Sequence, residues 1–189
     1  MMKSQRLCFR KPDESDSEFI YSLVNDPDWL KYIGDRKVNN QEDAVSFITE
    51  NLSAQHQDER LGLKICCLRL SYLSGETENK DTENKDTPIG VCGLLKRDYL
   101  DSIDLGYAFT KQYRGFGYAI EAASFFKAYA FNELNVDKLY ATVSKENGKS
   151  ISLLEQLGFK SLGELIKNDE GSRDVLLYRS YGDHKSPLL

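Results

Sequence analysis

Apolar and polar residues alternate along several stretches of the chain, which is typical of β-strands that bury one face. The alternation is clearest over 102–110, where Ile103, Leu105, Tyr107 and Phe109 take every second position. The stretches predicted to be strands are 6–10, 61–73, 88–95, 102–110, 138–143, 159–166 and 174–181. A sheet of about seven strands is therefore expected.

Apolar residues recur at helical spacing in about four other stretches. The first helix follows the capping residues 12–16 and is expected to end at Pro27, and Asn40 is expected to cap the second. The third follows Gly117, and the fourth covers 149–157 with Gly158 at its C-terminal end. Because no Pro-, Gly- or Ser-rich linker divides this mixture, we expect one α+β domain over 1–189 with a mostly antiparallel, mixed sheet.

A polar pentamer is repeated between two of the predicted strands. Residues 77–81 read TENKD, and residues 82–86 read TENKD again. Such a segment cannot bury apolar area, so 74–88 is predicted to be a mobile hairpin loop. A tolerated insertion is the simpler interpretation, and a charged lid is the functional alternative.

The composition is that of an ordinary globular protein with an acidic balance. The chain has 189 residues, 40% of them hydrophobic and 29% charged, with a formal net charge of −5. This charge argues against nucleic acid as the main partner and mildly favours a cationic substrate. The apolar runs are too short for a membrane span, and no apolar stretch follows the first residues, so a cytoplasmic location is predicted.

The cysteines and histidines do not have the spacing of a metal site. The four cysteines contain no C-x-x-C pair, and His56 and His184 lie far from them in sequence. No metal is therefore expected, and the cysteines are interpreted as reduced, small buried residues.

The segment with the most specific pattern is a strand, a glycine turn and a helix start that follow one another directly at 104–122. Amides at a helix N-terminus lack partners and carry partial positive charge, which suits a phosphate group. Gly115 and Gly117 let the backbone approach a ligand closely, and Arg114 adds a cation. A P-loop is ruled out by the missing G-K-[ST], and a dinucleotide-binding turn by Ile120 in place of the third glycine.

What remains is Arg-x-x-Gly-x-Ala at Arg114, Gly117 and Ala119, which resembles the pyrophosphate-binding motif of the GNAT acetyltransferase superfamily. The surrounding string Y-x-G-x-G-Y-A-x-E-A at 113–122 resembles its RimJ/RimL-type, ribosomal-protein branch. A second register, from Gln112 to Gly117, also fits the letters. The resemblance covers nearly the whole chain and implies a GNAT-like fold and an acetyl-CoA-dependent N-acetyltransferase.

The resemblance also implies where acetyl-CoA binds. In this superfamily, the strand before the turn splays from its neighbour and opens a slot for the pantetheine arm, and Gly106 would permit that distortion here. The second CoA-contacting segment is similar to the string that begins at Asn147. The residues that this assigns to the cofactor are Tyr107, Ala108 and Phe109, mainly through their backbone, Arg114, Gly115, Phe116, Gly117, Tyr118, Ala119, Asn147 and Ser150.

Two residues are candidates for moving protons. Asp104, on the strand at the slot, is the candidate base, and its alternative is a surface carboxylate. Some relatives carry a tyrosine acid in the short helix, at the position that is Leu154 here. The acid is therefore expected to be Ser150 or solvent.

The acetyl acceptor is expected to be a primary amine on a small molecule or a protein N-terminus. The segment that precedes the second helix corresponds to the acceptor wall of the relatives, and its candidates are Trp29, Tyr32, Asp35 and Arg36. Packing beneath the helices is the alternative role of the two aromatic residues. A CoA-binding sensor or scaffold without catalysis is the alternative function, and the chain is expected to be a monomer or homodimer.

Overall fold

The computed structural model describes residues 1–53, 58–69, 87–167 and 174–182. Within them the strands are β1 Met2–Lys3, β2 Leu7–Arg10, β3 Gly62–Leu68, β4 Thr87–Lys96, β5 Ile103–Phe109, β6 Lys138–Ser144, β7 Lys160–Lys167 and β8 Asp174–Tyr181. They form one sheet in the order β1-β2-β3-β4-β5-β6-β8-β7. Neighbouring strands are antiparallel except β5 and β6, which run parallel, so the predicted α+β fold with a mostly antiparallel mixed sheet is confirmed.

In the same described residues the α-helices are α1 Ser17–Val24, α2 Pro27–Tyr32, α3 Gln41–Phe47, α4 Tyr118–Asn132 and α5 Gly148–Gln156. A π-helix, Ile48–Ser53, continues α3. Short 3₁₀ turns at Glu14–Asp16 and Lys111–Tyr113 precede α1 and α4. Each of the four predicted helices has its counterpart, and α2 is additional.

Two of these elements differ from the prediction. Pro27 was expected to end a helix, but it begins α2, because proline suits a first helical position and the Asp26 side chain caps it by accepting from the Asp28 amide. The two-residue strand β1 pairs with Cys8 and Phe9 and was too short to give a pattern. The count therefore rises to eight strands and five α-helices in the described residues. The TENKD repeat and the turn at 168–171 lie outside them.

The two faces of the sheet are covered by different helices. Helices α1, α2 and α3 pack on one face through residues such as Ile20, Leu23 and Ala44. Helices α4 and α5 pack on the other through residues such as Phe126 and Leu154. The short helices are held by this burial, because helices of their length are marginal in isolation.

The described residues contain no helix that is both long and apolar enough to cross a membrane. The same residues contain no group of three or more His, Cys, Asp or Glu side chains placed to hold a metal ion. All four cysteines are buried, and none of them forms a disulfide.

Candidate active site

A slot opens between β5 and β6. β5 pairs with β4 at seven positions, but the only pair recorded between the fully described strands β5 and β6 is Asp104 with Tyr140. Beyond that pair the parallel strands diverge, as the resemblance implied. Gly106 lies just past this point, and a Cβ there would come within 3.1 Å of the Leu95 side chain. The two strands are thus paired at Asp104, the closed end of the slot, and the β5 edge at Tyr107 has no pairing partner in β6.

The mouth of the slot is the glycine turn that leads into α4. Gly115 and Gly117 have φ of +85° and +80°, a backbone region that side chains disfavour. A Cβ at Gly115 would meet nothing within 4 Å, so the space outside this turn is open. Gly117 is the N-cap residue of α4 and has no side chain that could accept a hydrogen bond. The backbone amides of Tyr118 and Ala119, at the start of the helix, therefore have no capping partner. Phe116, at the tip of the turn, is 62% exposed.

Arg114 makes contacts that its place in the motif did not predict. Its Nε donates to the carbonyl oxygen of Phe109 at 2.7 Å, and its two terminal nitrogens donate to Asp26, at 2.8 Å, and Asp28. Burial alone would raise the pKa of Asp26, but the hydrogen bonds from Arg114 and the Asp28 amide outweigh it and lower that pKa. Arg114 thus ties the glycine turn to the N-terminus of α2.

A second arginine, Arg6, lies at the same turn and was not predicted to be there. Its Nε donates to Glu121 at 2.6 Å, and one terminal nitrogen donates to the Phe116 carbonyl oxygen at 2.9 Å. The guanidinium also lies over the Tyr118 ring, 4.6 Å from its centroid. Its other terminal nitrogen is 3.3 Å from the position of a Cβ at Gly117. No local signal could have found Arg6, since it lies 115 positions before Glu121.

The start of α5 forms the other wall of the slot. The Asn147 side chain caps this helix by accepting from the Ser150 amide at 3.1 Å. The Ser150 hydroxyl lies 2.7 Å from the Tyr107 hydroxyl, which extends from β5. Burial raises the pKa of Tyr107 to about 12, although the Ser150 hydrogen bond opposes the shift. Tyr107 was assigned to the cofactor mainly through its backbone, and the pairing of its side chain with Ser150 was missed. Leu154, farther along α5, is a core residue.

Asp104 lies at the closed end of the slot. Alternation along β5 turns Leu105 and Phe109 toward α4, and Asp104 and Ala108 toward the opposite face. The Asp104 side chain is buried and accepts a hydrogen bond from Arg97 Nε at 3.2 Å. Burial raises its pKa to about 6, while the charge and hydrogen bond of Arg97 oppose the rise. The expected alternative, a surface carboxylate, is therefore wrong.

The candidate acceptor residues are only partly brought together. Trp29 is buried among the residues beneath α1–α3, and its indole nitrogen has no hydrogen-bond partner in the described residues. Tyr32 is half-buried, and Lys31 beside it lies 3.8 Å from Glu146 in the turn before α5. This contact places the end of α2 beside the turn between β6 and α5. Asp35 instead pairs locally with Lys37 at 2.7 Å, and Arg36 is half-buried in the same segment.

The chain is similar to known acetyltransferases over most of its length. Residues 6–160 match the family model of the acetyltransferase (GNAT) domain. An uncharacterized N-acetyltransferase, p20, of Bacillus licheniformis is 28% identical over 178 residues, which is 92% of this chain and 89% of that protein. A spermidine N(1)-acetyltransferase of Escherichia coli (strain K12) is 46% identical over 55 residues, 29% of this chain and 30% of that protein.

A solved structure of RimL, a ribosomal L7/L12 alpha-N-protein acetyltransferase in complex with coenzyme A, has the same fold. Its TM-score is 0.73 at 16% identity, and the match covers 95% of this chain and 96% of that one. The fold, the splayed strands and the glycine turn agree with the match to the family model. The chain belongs to the GNAT family of acetyl-CoA-dependent N-acetyltransferases.

Proposed function

We propose that the chain, acting as one domain over 1–189, transfers the acetyl group of acetyl-CoA to a primary amine by direct attack in a ternary complex. The observation that carries this proposal is the slot between β5 and β6, which runs from the glycine turn of α4 down to Asp104. A thioester held in such a slot is reachable from both faces of the sheet. The amine adds to the carbonyl carbon from one face of the thioester plane, and the thiolate then departs from the tetrahedral adduct, so both groups need space around that carbon.

Acetyl-CoA binding is assigned to the turn and the slot edges. The diphosphate lies at the unpaired amides of Tyr118 and Ala119, where Gly115 leaves open space. The cation at this site is assigned to Arg6, which contacts the Phe116 carbonyl oxygen, and to Arg114, which precedes the two glycines and shares its charge with Asp26 and Asp28. The exposed Phe116 offers a flat ring beside the same site. These features fit a phosphate-bearing ligand.

The pantetheine arm is assigned to the backbone of β5 at Tyr107, Ala108 and Phe109, because this edge has no recorded partner in β6. On the other wall, Asn147 and Ser150 begin α5. The Asn147 side-chain oxygen caps the helix, so its side-chain nitrogen, Nδ2, is the polar atom left to bind the ligand.

The two proton-handling candidates lie on opposite faces of the sheet. Asp104 belongs to the α1–α3 face, from which the amine approaches, and its pKa of about 6 suits a base at neutral pH. Ser150 belongs to the α4–α5 face, toward which the thiolate departs. The cationic amine first loses one proton to water, and its neutral nitrogen adds to the carbonyl carbon. As the carbon–sulfur bond then breaks and the thiolate departs, a second proton passes from the nitrogen to Asp104, directly or through water.

The acceptor is proposed to be a cationic primary amine, either a small polyamine-like molecule or a protein N-terminus. The net charge of −5 favours attraction of such molecules. Relatives of this chain include a spermidine acetyltransferase. The acceptor wall is assigned to Trp29, Tyr32, Asp35 and Arg36, since the Lys31–Glu146 contact places the end of α2 beside the turn that leads into α5.

The diphosphate assignment is tested with Gly115→Ala and a matched control, Gly163→Ala. Both glycines have positive φ, +85° and +69°, and a Cβ at either would meet nothing within 4 Å. Both variants should therefore lose about 1–2 kcal/mol of stability from backbone strain. Only Gly115→Ala places a methyl group where the diphosphate binds, so calorimetry should give a CoA Kd raised at least about tenfold, or about 1.4 kcal/mol.

Two results would contradict this proposal. If no heat is detected when CoA is titrated into the wild-type protein, CoA is not a ligand of this protein. If both glycine variants bind CoA with equal affinity, the glycine turn is not its binding site. Thiol release from acetyl-CoA in the presence of an amine panel separates the enzyme from the alternative sensor. Tight CoA binding without thiol release from any amine would favour the sensor.

A further inference from the structure

The Tyr107 side chain crosses the slot and meets the first turn of α5. Its Oη lies 2.7 Å from the Ser150 Oγ and 3.3 Å from the Ser150 carbonyl oxygen. Tyr107 belongs to β5, and Ser150 belongs to the helix that follows β6. The hydroxyl pair therefore connects the two walls of the slot on the α4–α5 face, where the proposed leaving thiolate departs.

The 2.7 Å contact is compatible with either hydroxyl as the donor, and the relative acidity of the two groups favours one of them. A phenol is more acidic than an alkyl alcohol, so Tyr107 is the better donor and Ser150 the better acceptor. Burial raises the pKa of Tyr107 to about 12, so its phenol keeps its proton throughout the neutral range. With Tyr107 donating to Oγ, the proton of Ser150 is directed away from Tyr107 and remains available to another acceptor.

Ser150 is fixed by a second contact as well. Its amide donates to the Asn147 side chain at 3.1 Å, which sets the first turn of α5. The N-terminus of this nine-residue helix carries partial positive charge, which stabilises negative charge nearby. A serine hydroxyl held in this way is a preorganised donor for an anion.

We propose that Tyr107 is a positioning residue for acetyl transfer, holding the Ser150 hydroxyl as a hydrogen-bond donor to the sulfur of the departing CoA. This inference rests on the proposed function. As the carbon–sulfur bond breaks, its electron pair passes to sulfur, and Ser150 stabilises the thiolate by a hydrogen bond without losing its proton. The thiolate takes its proton from water after it leaves.

The kinetic test uses Tyr107→Phe, Ser150→Ala, the double variant, and Tyr178→Phe as a matched control from the same sheet. Tyr107→Phe should lower kcat about tenfold and Ser150→Ala about a hundredfold, with the KM for acetyl-CoA changed less than about threefold. The double variant should match Ser150→Ala alone, because Tyr107 acts through Ser150. Tyr178→Phe should keep the wild-type kcat. Unchanged kcat in Tyr107→Phe, or losses that multiply in the double variant, would overturn the inference.

A second measurement does not depend on any acceptor. Free CoA is bound to each protein, and the pKa of its thiol is followed by the ultraviolet absorbance of the thiolate. The wild-type protein should lower this pKa below that of CoA in solution, and Tyr107→Phe and Ser150→Ala should reverse the shift. If the thiol pKa is the same in the wild type and in Tyr107→Phe, the role of Tyr107 is overturned. If the wild type lowers the thiol pKa but releases no thiol from acetyl-CoA with any amine, only the proposed catalysis is contradicted.

Discussion

Asp104 is a carboxylic acid that folding removes from water. Its residue exposure is 1%, and Arg97 is its hydrogen-bonding partner. Burial disfavours the charged form more than Arg97 restores it, so the pKa is raised to about 6. The folded protein thus holds a proton between about pH 4 and 6 that the unfolded chain has lost. Stability must therefore fall as the pH rises through this window.

Replacing Asp104 by Asn tests both roles of this carboxyl. A shift from 3.8 to about 6 corresponds to about 3 kcal/mol. The unfolding free energy of the wild type relative to Asp104→Asn should therefore fall by about 2–3 kcal/mol between pH 4 and 7, as measured by urea denaturation. If Asp104 is the base, the variant should also lose at least about a hundredfold in kcat and lose the acidic limb of the kcat/KM profile near pH 6.

Asp98→Asn is the control for this experiment, because Asp98 is an exposed carboxylate in the turn after β4. It should reproduce the wild-type pH dependence of both stability and kcat/KM. A wild-type kcat and pH profile in Asp104→Asn would remove Asp104 from the mechanism. A constant difference in stability between the two proteins across the same pH range would mean that its pKa is not raised.

At this scale, the residues predictable from sequence were those whose role is local. The positive φ of Gly115 and Gly117 follows from a tight turn entering a helix, which a short string of letters indicates. The partners of charged side chains were not predictable in this way. Arg114 contacts Asp26 and Asp28 across 86 or more positions, and Arg6 reaches Glu121 across 115, and only the fold brings these groups together.

Helix α2 is short, and a single side chain ties it to the glycine turn. It has six residues, too few for a stable helix in isolation. Its N-terminus is tied to the glycine turn by Arg114, which contacts both Asp26 and Asp28. Asp26 is only 11% exposed, so this ion pair is less screened by water than a surface pair. The tie connects the proposed acceptor wall to the proposed cofactor turn.

A double-mutant cycle between Arg114→Gln and Asp26→Asn measures this tie. Either single variant should lower the unfolding free energy by about 1–2 kcal/mol, and the double variant should lose little more than one of them. Urea denaturation of the four proteins gives the coupling energy. The control cycle, Arg60→Gln with Asp58→Asn, concerns a solvent-exposed pair 2.8 Å apart and should give a coupling near zero. Additive losses at Arg114 and Asp26 would mean that the tie contributes nothing.

The same elements show which parts of the secondary structure a sequence can specify. Strand β8 was predicted with its observed bounds, and β4, β5 and β6 within one residue at each end, because alternation or sustained burial marks them. Helix α2 was missed because Pro27 is compatible with both a helix end and a helix start, and the cap at Asp26 decides between them. The separation of β5 from β6 was predicted only through the family resemblance, since no pattern within either strand indicates it.

For the molecule as a whole, Glu121 joins the first residues of the chain to the helix that begins at the cofactor turn. Its carboxylate accepts from the Arg6 amide at 2.7 Å, from the Arg6 guanidinium at 2.6 Å and from the Ser4 hydroxyl at 2.7 Å. Burial would raise the pKa of Glu121, but these hydrogen bonds outweigh it and lower that pKa. The edge of the sheet near β1 and the proposed diphosphate site are thus held together by one ionised group.

Glu121→Gln should therefore have the opposite pH signature to Asp104→Asn. A carboxyl whose pKa is lowered by folding stabilises the protein above its ordinary pKa, near 4.5, and that stabilisation is lost as the pH falls through the folded value. At pH 7 the variant should lose about 1–3 kcal/mol of unfolding free energy, and the difference from wild type should shrink below about pH 4. Urea denaturation across this range measures it, with Glu133→Gln, an exposed residue at the end of α4, as the control. A difference that persists at low pH would show that Glu121 acts through its shape and not its charge. In that case the charges of the two carboxyls would not produce a stability maximum between them. Such a maximum requires that stability rises with pH as Glu121 ionises and then falls as the pH passes through the higher window of Asp104.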